Sequence, residues 1–557
     1  MADIESVRDS SSSSTSVNTL GERHQSEVDL EKAETIHPTP TSGTGVSATR
    51  SQTIGRTRSV ATDGYSVYDV DDNESDETTI ERTKTNPFEV FWEGPGDKEN
   101  PRNFNLARKW IIVLITSLAS FCVTFTSSVY TTTYEQLREE FHCSREIATL
   151  GLSTFVLGLA FGPMLLGPLS EFYGRRPIYI ASMFFFLIWL IPCAVAQNIQ
   201  TMIVCRFFDG FAGSAFLAVA AGTVADLFEP KDLEFPMMIF TATPFMGPAF
   251  GPIIGGLINQ FTTWRWTFYT LLIWTGVLLV MVIFFVPETY HKVLLKRRAE
   301  KKRKETGDNQ WYAPIEKLNR SILGTVIHSC SVPFELLFFE PMCLLLCLYS
   351  AILLGIIYLF FGAFPLVFGE NHGFSLYQVG LTFIGILVGI TIGVLTDPFW
   401  HKNYVKMVRK HEEQTGQVGI KPEPEYRLPP AMFGGILVPV GIFWFGWTTY
   451  SSVHWIVPII GSAVFGTGLF LAFTGILTFL VDAYPSFAAS AVAANCLVRL
   501  LFAGAFPLFG TQMYENLDYQ WASSLLGFLA LACVPMPFFF YRYGKRIRSR
   551  SRFNNSA

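Results

Sequence analysis

From Trp110 to about Tyr541, apolar stretches of roughly 20 residues alternate with short polar ones. At a rise of about 1.5 Å per residue, such a stretch crosses a hydrocarbon core of roughly 30 Å as one helix. The pattern predicts twelve spanning helices, at about 110–130, 147–168, 177–196, 200–224, 236–258, 266–287, 340–363, 378–397, 430–448, 453–480, 487–510 and 521–541. It therefore predicts an all-α membrane protein in two six-helix bundles, 110–287 and 340–541. Between them lies a polar central loop, 288–339, with the basic run Lys296, Arg297, Arg298, Lys301, Lys302, Arg303 and Lys304. A basic tail, 542–557, closes the chain.

Residues 1–109 contain no long apolar run, and serines fill Ser10 to Ser14. Such a segment buries too little apolar surface to offset the entropy of ordering, so a disordered tail is expected. It lacks the apolar core of a secretory signal, which leaves helix 1 as the insertion signal. Loops on the side of the N-terminus carry 25 Lys and Arg, against Arg138, Arg145 and Arg265 on the other side. The positive-inside rule then places both tails and the central loop in the cytosol. The sequons at Asn73, Asn319 and Asn554 fall on that side and are expected to stay unmodified.

Composition narrows the function classes. Half of the residues are hydrophobic, mean hydropathy is +0.31, and 16% are charged, well below the roughly 25% of a soluble chain. No basic surface with interleaved aromatics points to nucleic acid. The nine cysteines form no CxxC pair, which argues for packing rather than zinc, redox or disulfide roles. No GxxxxGK[ST] loop supports an ATP-driven pump, and the nine scattered histidines form no HExxH cluster for a membrane metalloenzyme. A non-enzymatic chain without metal site or cofactor is the expectation.

Three constellations carry chemistry. The first joins helices 2 and 3: Gly167-Pro-Leu-Ser-Glu171-Phe-Tyr-Gly174-Arg175-Arg176-Pro177. Gly174 suits a tight turn, and Arg175 and Arg176 can reach a carboxylate such as Glu171 or a helix C-terminus. The second lies on helix 4, where Arg206, Asp209, Gly210 and Gly213 share one face. Intramembrane ions are costly, so they mark either a pathway or a structural ion pair. The third is on helix 5, with Gly247, Gly251 and Gly255 at four-residue spacing, Pro248 and Pro252 between them, and Gly256 beside. Such a helix is kinked yet packs closely on a neighbour.

In this order and on these helices, the three resemble the signature set of the major facilitator superfamily. The third resembles the helix-5 motif of its antiporter branch. The segments Trp92-Glu-Gly-Pro-Gly-Asp-Lys-Glu-Asn-Pro-Arg-Asn and Pro287-Glu288-Thr289-Tyr290 are similar to those of the fungal twelve-spanner drug:proton antiporter family. The resemblance covers about residues 88–545, and departs where Glu171 and Phe172 stand in place of Asp and a base. The second half's loop, Gly393 to Asp397, keeps little of the motif. The resemblance implies the major facilitator fold. It also implies export of small amphipathic or cationic compounds (drugs, toxins, fungicides) in exchange for protons, by alternating access of a monomer. The driving force would be the proton gradient, in the plasma membrane or alternatively the vacuolar membrane. Asp209, beside Arg206, is the first candidate for the proton. Tyr130, Tyr358, Phe361 and Phe364 lie where the family forms its cavity; Arg499, without an acid on its own helix, faces the cavity or a partner helix; and Asp482 reads as a gate or cap. Rival readings are an exporter of one metabolite, such as an organic acid or polyamine, a sugar porter, and a non-transporting receptor descended from a transporter.

Overall fold

The computed structural model describes residues 88–551 and Phe553, apart from residues 95, 230–231, 318–321, 417–421. The side that carries the basic loops is called inner below, and the opposite side outer. Short polar side chains start several helices by accepting backbone N–H groups that have no partner within the helix. Asn105 caps helix 1 (Leu106–Val129), Ser144 caps helix 2 (Arg145–Tyr173), and Asn198 caps helix 4 (Ile199–Leu227) through Thr201 N at 2.8 Å. Helix 3 runs Arg175–Ala194, helix 5 Glu234–Phe261, and helix 6 Trp264–Phe285. In the second half, helix 7 is Pro341–Phe364 and helix 8 is Leu376–Thr382 followed by Ile384–Leu395. Helix 9 is Pro429–Trp447 and helix 10 is Ile456–Ala483.

Eleven apolar helical stretches among the described residues are long enough to cross a bilayer, and the last holds two spans. That stretch, Pro485–Arg548, has 64 residues. At about 1.5 Å each it would reach nearly 100 Å as one helix, three times the hydrocarbon thickness. Asp518, at φ 60° and ψ 156°, breaks it. The Tyr514 hydroxyl meets Ser523 Oγ at 2.9 Å across the break, a contact a straight helix could not make. Helix 11 is thus 488–517 and helix 12 is 519–548, which gives the expected twelve.

Helices 2 and 4, 1 and 5, and 3 and 6 pair within the first half; helices 7 and 11, 9 and 10, and 8 and 10 pair within the second. The halves meet along helices 2 and 11 and along helices 5 and 8. Large apolar side chains such as Ile273, Phe284 and Leu395 remain exposed on the periphery of the bundles, as lipid contact requires.

Two boundaries move. Residues 88–105, read from composition as part of the disordered tail, are structured. Val90 N donates to Tyr312 O at 3.0 Å, and Tyr312 N donates back to Phe88 O at 3.0 Å. Val90, Ala299 and Ala313 close a small apolar cluster against the helix His291–Thr306. Arg298 bonds Glu93 at 2.5 Å and also bonds Asp97. Burial raises the Asp97 carboxyl, but the Arg298 hydrogen bond and the Glu99 and Glu93 backbone N–H groups outweigh it and hold the group below its ordinary value. The central segment, read as wholly polar, also contains the apolar helix Ile322–Phe339, which packs on helices 2 and 11. Residues 1–87 and the sequons at Asn73, Asn319 and Asn554 lie outside the described residues.

Candidate functional site

Helix 1 stops being α-helical at Val129 and tightens into a 3-10 turn, Tyr130–Thr133. A helix end leaves its last carbonyls without intrahelical donors. Arg206 of helix 4 supplies them for two of these carbonyls. Its Nη1 and Nη2 each donate to Thr126 O at 3.1 Å, and Nη2 also reaches Ser127 O at 3.5 Å. Nε donates to Gly151 O of helix 2 at 3.3 Å. The guanidinium lies 4.2 Å from the Phe155 ring centre and 4.7 Å from that of Tyr130. One fully buried cation thereby ties helices 1, 2 and 4.

Asp209 sits beside this tie rather than in it. Its Oδ2 is 3.7 Å from Arg206 Nη1, and neither carboxylate oxygen accepts a hydrogen bond among the described residues. The guanidinium is anchored by carbonyls, so protonating Asp209 would remove a charge contact and leave the anchors in place. Helices 2 and 4 approach closely because Gly158 and Gly210 face each other's backbones; a methyl on Gly158 would come within 2.6 Å of Phe211 N.

At the inner end, Gly174 has φ 98°, a conformation open to glycine, and a methyl there would lie 2.6 Å from Glu288 Cδ. Glu288 accepts the backbone N–H of Arg175 at 2.8 Å, Arg176 at 3.3 Å, Thr289 at 3.1 Å and Tyr290 at 3.0 Å. A carboxylate at the start of helix 3 also suits that helix's dipole. The Arg175 side chain reaches Asp226 Oδ2 at 3.3 Å and Ser170 Oγ at 2.8 Å. Arg176 Nη2 donates to Ile283 O of helix 6 at 2.9 Å. The cluster thus joins the inner ends of helices 2, 3, 4 and 6. Its acids Asp226 and Glu288 were not singled out from sequence, where Glu171 was the acid proposed; Glu288 was visible only as part of a family-like tetrapeptide.

On helix 5, Gly247, Gly251 and Gly255 face Thr124 and Ser128 of helix 1 and Thr132 of the turn that follows it, which repeat at the same spacing. A methyl on Gly247 would lie 2.8 Å from Phe125 N, and one on Gly251 2.7 Å from Val129 N. Gly256 points elsewhere, to Leu376 O of helix 8, and Gly380 of helix 8 lies against the Pro252 carbonyl. Pro248 and Pro252 are accommodated inside the helix. One helix therefore grips its own half with three glycines and meets the other half with Pro252 and Gly256. By contrast, Gly167 has open space where a side chain would go.

The proposed cavity residues divide. Tyr130 is wholly buried in the arginine tie, with its hydroxyl on Ala148 O at 3.0 Å. Phe361 stacks on Phe383, and Phe364 on Phe445, inside the second half. Tyr358 bridges the halves, its hydroxyl 3.0 Å from Ser127 Oγ. Arg499 stands between helices 5 and 10, near Phe245 and Phe473. Asp482, at the inner end of helix 10, pairs with Arg427 at 2.9 Å.

Two facing bundles, a cation buried in one, and glycine-lined contacts between helices 5 and 8 define a multi-pass membrane carrier. The chain matches the Major Facilitator Superfamily over residues 116–507, and it belongs to that superfamily of transporters. It is 54% identical to the efflux pump atB of Aspergillus terreus, over 85% of this chain and 91% of that protein. It is 41% identical to the probable drug/proton antiporter YHK8 of Saccharomyces cerevisiae, over 83% of this chain and 89% of that one. Among solved structures, the xylose transporter XylE of E. coli in a partially occluded inward-open conformation aligns with TM-score 0.54 at 16% identity, covering 78% of this chain and 98% of that one. The human organic anion transporter MFSD10 aligns at 0.54 with 15% identity, over 77% and 99%. At those identities, the likeness is one of fold.

Proposed function

We propose that this chain exports amphipathic small molecules from the cytosol in exchange for protons, by alternating access of its two bundles. The observation that carries this reading is the buried Arg206–Asp209 pair, in which the carboxylate is next to the cation but free of hydrogen bonds among the described residues. Such a group gains and loses a proton without breaking the arginine's anchors, and each change alters the charge balance of the core where helices 1, 2 and 4 meet. The efflux and drug/proton antiport named for the relatives support the reading. The basic inner loops support cytosolic tails. The plasma membrane is the proposed location, and a fluorescent fusion separates it from the vacuolar membrane. The proton gradient supplies the energy, with no cofactor, and one copy suffices.

The test is accumulation of a panel of toxic and fluorescent compounds in an efflux-deficient host. Overproduction lowers accumulation, an ionophore that collapses the proton gradient restores it, and Asp209→Asn stops gradient-driven export. Export that persists after collapse of the gradient sinks the coupling, and unchanged export by Asp209→Asn removes that residue as the proton site.

A further inference from the structure

Three charged side chains lie deep within spanning helices of the described chain: Arg206, Asp209 and Arg499. Other acids and bases of these helices, among them Asp226, Glu234, Arg265 and Asp482, stand near helix ends. Arg206 and Asp209 are 3.7 Å apart and balance one another. Arg499 is left over. No described carboxylate lies within 4.0 Å of it, its one hydrogen bond is a long contact from Nη2 to Cys496 Sγ at 3.9 Å, and its Nε is buried without a partner. A cation at membrane depth normally pairs or lines a pathway, because leaving it bare in a low-dielectric medium is costly.

Its position points to a pathway. Arg499 lies 11 residues into helix 11, roughly 16 Å along it and so near the middle of a core about 30 Å thick. The guanidinium is 5.3 Å from the ring centre of Phe473 on helix 10 and 6.0 Å from that of Phe245 on helix 5. Those two rings are 5.1 Å apart and belong to opposite halves. A partly buried cation framed by aromatic faces, on the seam between the bundles, offers a planar donor fork for an acid group and flat surfaces for a ring system.

We propose that Arg499 selects substrate charge, and that this transporter carries amphipathic organic anions: a carboxylate or phenolate on a flat, largely apolar body. The anion is the counter-charge that the structure withholds from Arg499. This rests on the export reading above and gives its cargo a negative charge, where the family resemblance implied amphipathic or cationic compounds. It has an energetic consequence. With one proton entering per anion leaving, two units of positive charge move inward per cycle, so the membrane potential drives export as well as the pH difference; exchange of a cation for a proton would move none.

The test uses two dyes with the same xanthene ring and opposite charge, fluorescein and rhodamine 123. The full-length chain and its Arg499→Ala and Arg499→Lys variants are produced in an efflux-deficient host, with fluorescein loaded as its diacetate. The wild type exports fluorescein at least ten-fold faster than rhodamine 123. Arg499→Ala loses that export ten-fold or more without losing what rhodamine export there is, and Arg499→Lys is intermediate. Fluorescence polarisation of each dye on purified protein that elutes monodisperse gives the same order without requiring transport, and Arg499→Lys decides if the alanine variant does not fold. A wild type that fails to bind fluorescein, or that prefers rhodamine, overturns the proposal, as does unchanged fluorescein binding by a folded Arg499 variant. An ionophore separates the two readings. Arg499-dependent anion export that ignores the proton gradient sinks the coupling and keeps the anion site; gradient-driven export whose dye preference ignores Arg499 does the reverse.

Discussion

Gly251 should not tolerate a single added methyl group, although helix propensity favours one. In a helix interior, replacing glycine by alanine gains about 1 kcal/mol. Here the new methyl would lie 2.7 Å from Val129 N and 2.9 Å from Ser128 Cβ, and closer still to Ser128 Oγ. Comfortable contacts between heavy atoms are about 3.5–4 Å, so helices 1 and 5 must part by roughly 1 Å. Val129 N is backbone and cannot rotate aside. Overpacking of this kind costs about 1–3 kcal/mol, which outweighs the propensity gain and leaves Gly251→Ala destabilised by up to about 2 kcal/mol. Gly167 is the internal control, since it is helical and has nothing within 4 Å of the same added atom. Gly167→Ala should be neutral or stabilised by up to about 1 kcal/mol. The assay is thermal unfolding of the purified protein in one detergent, with dye export measured alongside. Adding Ser128→Ala to Gly251→Ala should recover only part of the loss, because the hydroxyl goes while Val129 N remains. Equal melting points for Gly251→Ala and Gly167→Ala, or a gain in the former, would refute the reasoning.

Glu288→Ala removes the acceptor of four backbone N–H groups and should cost at least the roughly 0.5–2 kcal/mol of a lost helix cap, with Glu288→Gln losing less; an unchanged melting point for the alanine variant would show that the cap is idle. Docking of residues 88–105 should depend on pH through Asp97. Its carboxyl is held below its ordinary value in the folded chain, so docking is favoured above the unfolded value and weakens as pH falls through the lower folded one. Limited proteolysis of the segment across acidic pH reads this, and Asp97→Asn should be cleaved readily and lose the dependence; a cleavage rate that stays flat with pH in the wild type counts against it.

How much of this was legible beforehand varied with the range of the interactions. Spanning helices are local, set by some 20 consecutive apolar residues, and all twelve are present near their expected positions. The last pair runs on as one helical stretch, broken at Asp518, because the polar link 511–520 keeps helical backbone on either side of that residue. Close packing by Gly247, Gly251 and Gly255 was readable from spacing alone, but the identity of the neighbour was not: the matching Thr124, Ser128 and Thr132 series lies a hundred residues and more away. Arg206 was readable as an intramembrane ion. That its donors go to the carbonyls at the end of helix 1 follows from a 3-10 turn that no local sequence signal announces. The structured part of the tail was missed for the same reason. Its polar composition argues for disorder, while its partners, Arg298 and Tyr312, stand some 200 residues on.

The inner face shows what the degenerate second loop motif hides. Arg175 begins helix 3 and meets Asp226, one residue before the end of helix 4. Arg427, just ahead of helix 9, meets Asp482, one residue before the end of helix 10. These are corresponding places in the two halves, yet the second half retains little of the first loop's sequence. An aspartate at a helix C-terminus opposes the helix dipole, so each position calls for a cation close by. Both pairs are largely buried, and each joins two helices of the same half, so they hold a half together rather than tie the halves to each other. The first half has further internal contacts of this kind: backbone approach at the helix 1–5 glycines, and the carbonyl anchors of Arg206. The chain thus concentrates its ties within each half, the distribution a carrier needs if its halves are to move as bodies against one another.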